Sequence, residues 1–199
     1  MFDVEGFILV GGQSRRMGRD KADLPLNGQT LPARIAEALS GVASRVFLVG
    51  ARKADPELNL RNVPDVHEAW GALGGIHAAL TESKTDWIVV VACDLPFVTR
   101  ELFERLTSLI SDVVDAVVPI QADGRPQPVC ALYRRDSCLP QIERLIAAAE
   151  HSPRALLGNV RTRFVEFAEV TDLPHADRFF FNVNTPADYA EANELDHSP

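Results

Sequence analysis

The chain has 199 residues, 46% hydrophobic and 24% charged, a globular composition that excludes a disordered, collagen-like or coiled-coil chain as a whole. At about 150 residues per domain the length predicts a single domain with a core large enough to need no staples. With 20 Lys and Arg against 28 Asp and Glu the net charge is −8, which argues against sequence-independent binding to nucleic acid or an anionic membrane, since both need a basic surface.

Residues 6–10 form the first apolar run and read as a buried strand ending at Gly11-Gly12; Asp3 and Glu5 ahead of it do not suit a secretory leader. Leu31, Ile35, Ala36 and Leu39 then recur at helical spacing. Residues 46–49 read as a second strand, Val63 opens a short third one, and 72–80 reads as a helix. The run 87–91, Trp-Ile-Val-Val-Val, is the clearest strand, β-branched and apolar on both faces as a central parallel strand must be. Its apolar stretch ends at Cys93, far short of the roughly 20 residues that cross a membrane. Thr99 offers a cap to a helix marked by Leu102, Phe103, Leu106, Leu109 and Ile110. Residues 116–118 and 129–133 read as strands, and Leu139, Ile142, Leu145 and Ile146 mark a further helix. Residues 164–167 and 179–181 read as late strands, and Pro186 starts a last helix at its favoured first-turn position. The alternation implies an α/β fold, one domain with a mostly parallel, doubly wound, Rossmann-like sheet. Ligands then lie at the carboxyl ends of strands near a switch point. Cys93, Cys130 and Cys138 make neither a CxxC pair nor a disulfide framework, and a soluble cytoplasmic protein is expected.

The segment running from Leu9, Val10, Gly11 and Gly12 to Lys21 follows the first strand directly. Its glycines allow a tight turn with backbone N–H groups open to phosphate oxygens. Arg15, Arg16, Arg19 and Lys21 place four of the 20 cations within seven residues, the local concentration an anion site needs in an acidic protein. Two familiar phosphate loops are absent. Lys21 lies three residues past Gly18 and is followed by Ala22, so GxxxxGKS/T fails, and there is no GxGxxG. A flexible surface turn with solvated charges is the alternative, and placement after a buried strand weighs against it.

The run GGQSRRMGRDKADLPLNGQTL at residues 11–31 resembles the opening signature AGGxSxRMGxDK of nucleotidyltransferases with a GT-A-like fold. Within that superfamily the chain is most similar to the molybdenum cofactor guanylyltransferases, and the resemblance covers essentially its whole length. It implies transfer of GMP from GTP to molybdopterin, or its molybdenum-loaded form, with release of pyrophosphate. It further implies a nucleotide-binding half, 1–100, and an acceptor half, 101–199. Lys21, helped by Arg15 or Arg16, would stabilise the phosphates, and the backbone of Leu9, Val10, Gly11 and Gly12 would hold the nucleotide.

Asp94 stands just past the strand 87–91. A carboxylate at a strand's carboxyl end suits Mg²⁺, a hard cation that completes its shell with phosphate oxygens and water; a turn or N-cap role is the alternative. Asp94-Leu95-Pro96-Phe97 matches the DxPF metal motif of the family, which implies Mg²⁺, or Mn²⁺, at Asp94. Asp65 matches a position that binds the guanine nucleotide in the family, with backbone capping as its alternative. Gly71-Ala72-Leu73-Gly74-Gly75 resembles the GPLxG loop beside the base, with Ala72 in place of Pro; Val10 likewise replaces the Ala of AGG. Val49-Gly50 lacks the Asn often found after the second strand of the family. Arg125-Pro126-Gln127-Pro128 resembles a substrate-side loop. Asn182-Val183-Asn184-Thr185-Pro186 resembles the near-terminal NxNTP motif, whose amides offer donors and acceptors to a pterin or its phosphate; the alternative is a helix cap, which Thr185 supplies alone. Related cytidylyltransferases carry Asp at both Asn positions, so Asn182 and Asn184 favour guanylyl transfer.

His67, His77, His151, His175 and His197 show no metal spacing, and no Ser/His/Asp set is identifiable. Cys93 reads as a small buried neighbour of Asp94. An acceptor that is already a phosphate anion needs no general base, which suits a chain without an obvious catalytic His. The expected partners are GTP, molybdopterin and proteins that deliver it. Two other readings stand beside this one: a nucleotidyltransferase of the same fold using CTP or a sugar phosphate, and a non-catalytic nucleotide-binding protein, against which Lys21 and Asp94 argue.

Overall fold

A computed structural model describes residues 2–10, 23–50, 58–65 and 70–197. In chain order these form β1 (Val4–Leu9), β2 (Pro25–Leu26), β3 (Gln29–Thr30), α1 (Leu31–Leu39), β4 (Arg45–Val49), β5 (Arg61–Val63), α2 (Gly71–Glu82), β6 (Trp87–Ala92) and α3 (Arg100–Ser108). They continue with β7 (Ala116–Pro119), β8 (Cys130–Arg134), α4 (Arg135–Ala147), α5 (Pro153–Asn159), β9 (Thr162–Val165) and α6 (Pro186–Asp196). Seven strands make one sheet in the order β5-β4-β1-β6-β8-β7-β9, and β2 pairs with β3 in a separate hairpin. β1 is parallel to both β4 and β6, and β4 to β5. β8 runs antiparallel to β6 and β7, while β7 and β9 are parallel. The mostly parallel, doubly wound sheet expected from the sequence is therefore present.

The strand period of two sorts side chains into two cores. Val4 and Ile8 of β1 and Val89 and Val91 of β6 face one side, where Ile35 and Leu39 of α1 and Leu102, Phe103 and Leu106 of α3 cover them. Phe7 and Leu9 with Ile88 and Val90 face the other, under Leu73, Ile76 and Leu80 of α2, Ile142 of α4 and Leu156 of α5. Each such fully buried aliphatic or aromatic side chain contributes about 1.5–3 kcal/mol. Gly6 lets α1 come close: a Cβ there would lie 3.1 Å from Leu39 Cδ1. One acid enters this apolar layer. Glu5 is fully buried in β1, and its carboxylate accepts hydrogen bonds from Ser83 Oγ and the Lys84 backbone N, each at 2.8 Å, and pairs with Arg45 at 2.5 Å.

Local chemistry sets the helix starts. Thr99 Oγ1 accepts from Leu102 N at 3.4 Å to cap α3. Thr185 Oγ1 accepts from Asp188 N at 3.2 Å while Asp188 Oδ2 accepts from Thr185 N at 2.8 Å, a reciprocal box at the start of α6. Three sequence expectations need correction. Val63 closes the third strand rather than opening it, since β5 begins at Arg61. Residues 179–181 are not a strand: Phe179 N donates to Ala176 O and Phe181 N to Arg178 O, so turn bonds occupy the backbone groups that a ladder would need. The late strand is β9, which ends at Val165, and Glu166 begins a 3-10 turn. The short helix α5 had no counterpart in the sequence reading. No helix among the described residues is long and apolar enough to cross a membrane.

Candidate active site

The carboxyl ends of the parallel strands carry the residues that the sequence singled out. From β1 the chain steps outward to β4 and β5, then returns to β6 on the opposite side of β1. The gap between β1 and β6 is thus the switch point, where a doubly wound sheet leaves a crevice. Backbone bonds continue past the ladders and hold the strand ends in a row. Val10 N donates to Val49 O at 3.0 Å, Gly50 N to Val63 O at 2.9 Å, and Cys93 N to Leu9 O at 3.0 Å. Asp65, two residues past β5, and Asp94, two past β6, are half-buried on this edge, with Val10 between them. Gly11, Gly12, Arg15, Arg16 and Lys21 lie outside the described residues, as does His67.

Gly74 and Gly75 do not form a loop. Both are buried within α2, which begins at Gly71. A Cβ at Gly75 would come within 3.0 Å of Leu9 Cδ2, so the missing side chain is what lets α2 start against the end of β1. Trp70, just before this helix, stacks on His151 with ring centroids 4.0 Å apart. That contact joins the start of α2 to the segment between α4 and α5.

The Asn182–Asn184 run, distant in sequence, sits against Asp94: Val183 N donates to Asp94 O at 2.9 Å. Val183 is buried, while Asn182 and Asn184 on either side of it are exposed. Thr185 provides the side-chain cap of α6, as the alternative reading of this motif anticipated, and the Asn184 backbone N donates to Asp188 Oδ2 at 2.8 Å. Asn182 Nδ2 donates to Phe180 O at 3.1 Å, and the residue lines a cavity of about 620 Å³. Gln121, Arg125, Gln127, Arg154, Phe180 and Phe181 share that lining.

The cavity wall is pinned from beneath. The fully buried Tyr133 of β8 donates its hydroxyl to Pro128 O at 2.6 Å, and its burial raises the phenol well above its ordinary range. Gln127 N donates to Pro119 O at 2.9 Å, and Gln127 Nε2 donates to Gln121 Oε1. Arg125 Nε donates to Asp123 Oδ2 at 2.6 Å, and this guanidinium pushes the Asp123 carboxyl down to about 2. Arg154 differs from these: it makes no hydrogen bond or ion pair with any described residue. A cation without a carboxylate partner among the described residues, in a cavity lining that it shares with Gln121, Gln127 and Asn182, suits an anionic ligand. The sequence reading missed Arg154, Gln121 and Phe180. Ser152-Pro153 ahead of Arg154 marks a helix start, yet nothing in the local pattern ties it to the distant asparagines.

The chain matches the MobA-like NTP transferase domain family over residues 6–164. It belongs to that family. The "Probable molybdenum cofactor guanylyltransferase" of Pelotomaculum thermopropionicum is 35% identical over 196 residues, covering 98% of this chain and 94% of the relative. The "Molybdenum cofactor guanylyltransferase" of Vibrio vulnificus is 30% identical, covering 95% and 94%. Among solved structures, the crystal structure of molybdopterin-guanine dinucleotide biosynthesis protein A from Archaeoglobus fulgidus aligns with a TM-score of 0.77 at 26% identity, covering 96% of this chain and 97% of that one.

Membership in the MobA-like family agrees with the resemblance read from the opening signature and makes the chain a nucleotidyltransferase. The matched span ends before Asn182 and Asn184, whereas the Pelotomaculum relative reaches across nearly the whole chain. Among the described residues no three His, Cys, Asp or Glu side chains gather as a metal cluster. Asp94 is instead a single half-buried carboxylate at a strand end. One carboxylate is the donor set of a Mg²⁺ ion that takes its other ligands from substrate phosphates and water, so the residues present fit that ion.

Proposed function

We propose that this protein transfers GMP from GTP to molybdopterin in the cytoplasm, a reading supported by relatives named molybdenum cofactor guanylyltransferase. The observation that carries the reading is the Val183–Asp94 backbone bond, because it sets a cavity lined by Asn182, Arg125 and Arg154 beside the end of β6. An oxygen of the acceptor's phosphate forms a bond to the α-phosphorus of GTP. The bond from that phosphorus to the β-phosphate bridge breaks, and pyrophosphate leaves with the electron pair. No proton must be removed from the attacking group, so alignment and charge neutralisation are the protein's work.

In this reading the half 1–100 holds the nucleotide and 101–199 the acceptor. Asp94 would hold Mg²⁺ or Mn²⁺, and such an ion supplies electrostatic stabilisation of the triphosphate and its leaving group. Leu9, Val10, Gly11 and Gly12 present backbone groups to GTP, Lys21 with Arg15 or Arg16 meets its phosphates, and Asp65, Gly74 and Gly75 lie at its base end. Asn182, Asn184, Arg125 and Arg154 bind the pterin and its phosphate, which another protein delivers to the open cavity. The test is pyrophosphate release with molybdopterin and GTP, CTP or ATP in parallel. Release with GTP alone supports the proposal; release with CTP alone moves the chain to cytidylyl transfer.

A further inference from the structure

A third and smaller apolar cluster stands apart from the two that flank the sheet. Leu24, Leu26, Leu31, Phe97, Val183 and Ala192 form it. Its members come from the stretch that follows Lys21, the first residue of α1, the turn that follows Asp94, the run that carries the two asparagines, and α6. Phe181 meets Phe97 edge to face at 5.9 Å between ring centroids, and Tyr189 of α6 donates its hydroxyl to Pro25 O.

One guanidinium closes this cluster. Arg34 of α1 donates Nη1 and Nη2 to the two carboxylate oxygens of Asp196, at 3.1 and 2.6 Å, and Nε to Pro96 O at 3.4 Å. It thereby joins α1, the last residue of α6 and the turn two residues past Asp94. The two side chains are only 21% and 10% exposed, so this is not the solvated surface pair whose worth is close to nothing. A planar fork that meets both oxygens also fixes direction, which a lysine ammonium cannot do. The start of α6 is tied to Asp94 through Val183, and its end is tied to the same turn through Arg34.

We propose that Arg34 is a positioning residue for the transfer reaction: with Asp196 it clamps α6 onto the 94–97 turn and so fixes the Asn182–Asn184 run relative to the Asp94 carboxylate. The inference rests on the roles given above to Asp94 and the asparagines. A misplacement of about 1 Å between aligned groups costs up to roughly a hundredfold in rate, and a loosened clamp is a milder fault, so Arg34→Lys should lower kcat about tenfold. The test compares Arg34→Lys, Asp196→Asn and their double variant in the full chain. It reads kcat, KM for GTP and for molybdopterin, melting temperature, and Mn²⁺ affinity of the GTP complex by electron paramagnetic resonance. The expected result is a fall in kcat and weaker Mn²⁺ binding with KM for GTP within about twofold, the double variant being no worse than the poorer single one because both remove the same clamp. Near-wild-type kcat in folded single variants, or losses that multiply in the double variant, would overturn the proposal. Should Arg34→Lys fail to fold, Asp196→Asn decides by the same readings. Asp94→Ala run in parallel separates the two ideas: if it keeps full Mn²⁺ affinity, the metal role of Asp94 is lost, and Arg34 then stands or falls on kcat and the double-variant comparison.

Discussion

Asp94 and Arg154 are single side chains whose assigned work can be read separately. Asp94→Ala removes the one carboxylate that β6 presents at the switch point. Turnover should fall at least about a hundredfold, since a metal clamp on phosphate supplies several kcal/mol. The fold should persist, because the backbone bond from Val183 N to Asp94 O does not use the side chain. Pyrophosphate release beside the melting temperature checks both halves of that statement. Arg154→Ala should raise KM for molybdopterin about thirtyfold, the loss of roughly 2 kcal/mol from a charge-assisted hydrogen bond. GTP affinity by calorimetry should not move; if GTP binding weakens instead, Arg154 belongs to the nucleotide. The place of Asp94 at a strand end was legible in the sequence, because the apolar run 87–91 stands directly ahead of it. The place of Arg154 was not, because the cavity that it shares with Asn182 forms only in three dimensions.

Elements were legible where one period dominates. β6 carries five residues at 2% exposure or less, Trp87 through Val91, and an apolar stretch bounded by polar residues reads as a buried strand. α3 and α6 announce themselves through Thr99 and Thr185. Residues 179–181 misled because three consecutive Phe mimic a strand, although turns hold their backbone. α5 has seven residues, too few for a helical period to show. The far end of the sheet carries a joint with its own pH signature. Asp115, 5% exposed, accepts from Arg161 N, Nε and Nη2 at 3.0, 2.8 and 2.7 Å and so ties the start of β7 to the residue before β9. The Arg161 guanidinium holds the Asp115 carboxyl well below the ordinary carboxylate range. A carboxyl depressed in the folded state adds stability that is complete above its unfolded value, about 3.9, and is lost as pH falls from there toward the folded value. Melting temperature should therefore decline below about pH 4 in the wild type. Asp115→Asn should start lower by about 5 °C at pH 7, for a pair half open to solvent at Arg161 and worth about 2 kcal/mol, and should lose less on acidification. Parallel acid slopes for the two proteins would remove the joint from the account.

At the scale of the whole molecule, the proposed division into a nucleotide half and an acceptor half is one of function, because the sheet does not divide there. β8 inserts between β6 and β7, bonding to β6 from Trp87 to Val91. Both cores draw on both halves: Val89 and Val91 share one with Val117, Leu132 and Phe179, and Ile88 and Val90 share the other with Ala131, Tyr133 and Ile142. Cutting the chain after residue 100 would open the β6 edge and expose the face that β8 and α3 cover, leaving unpaired backbone groups beside an apolar surface. Such a fragment should show no cooperative melting. The full chain should unfold in one calorimetric transition despite its 199 residues, since neither core can melt without the other half. A ligand that binds only the folded state stabilises whatever melts with its site, by about 2.7 kcal/mol at a hundred times its dissociation constant. For a chain of this size that corresponds to a rise of about 5–10 °C. GTP contacts are placed in residues 1–100 alone, yet the entire transition should move upward with GTP. A second transition that stays in place when GTP is added would mean that the acceptor half melts independently and that the shared sheet does not couple the two sites.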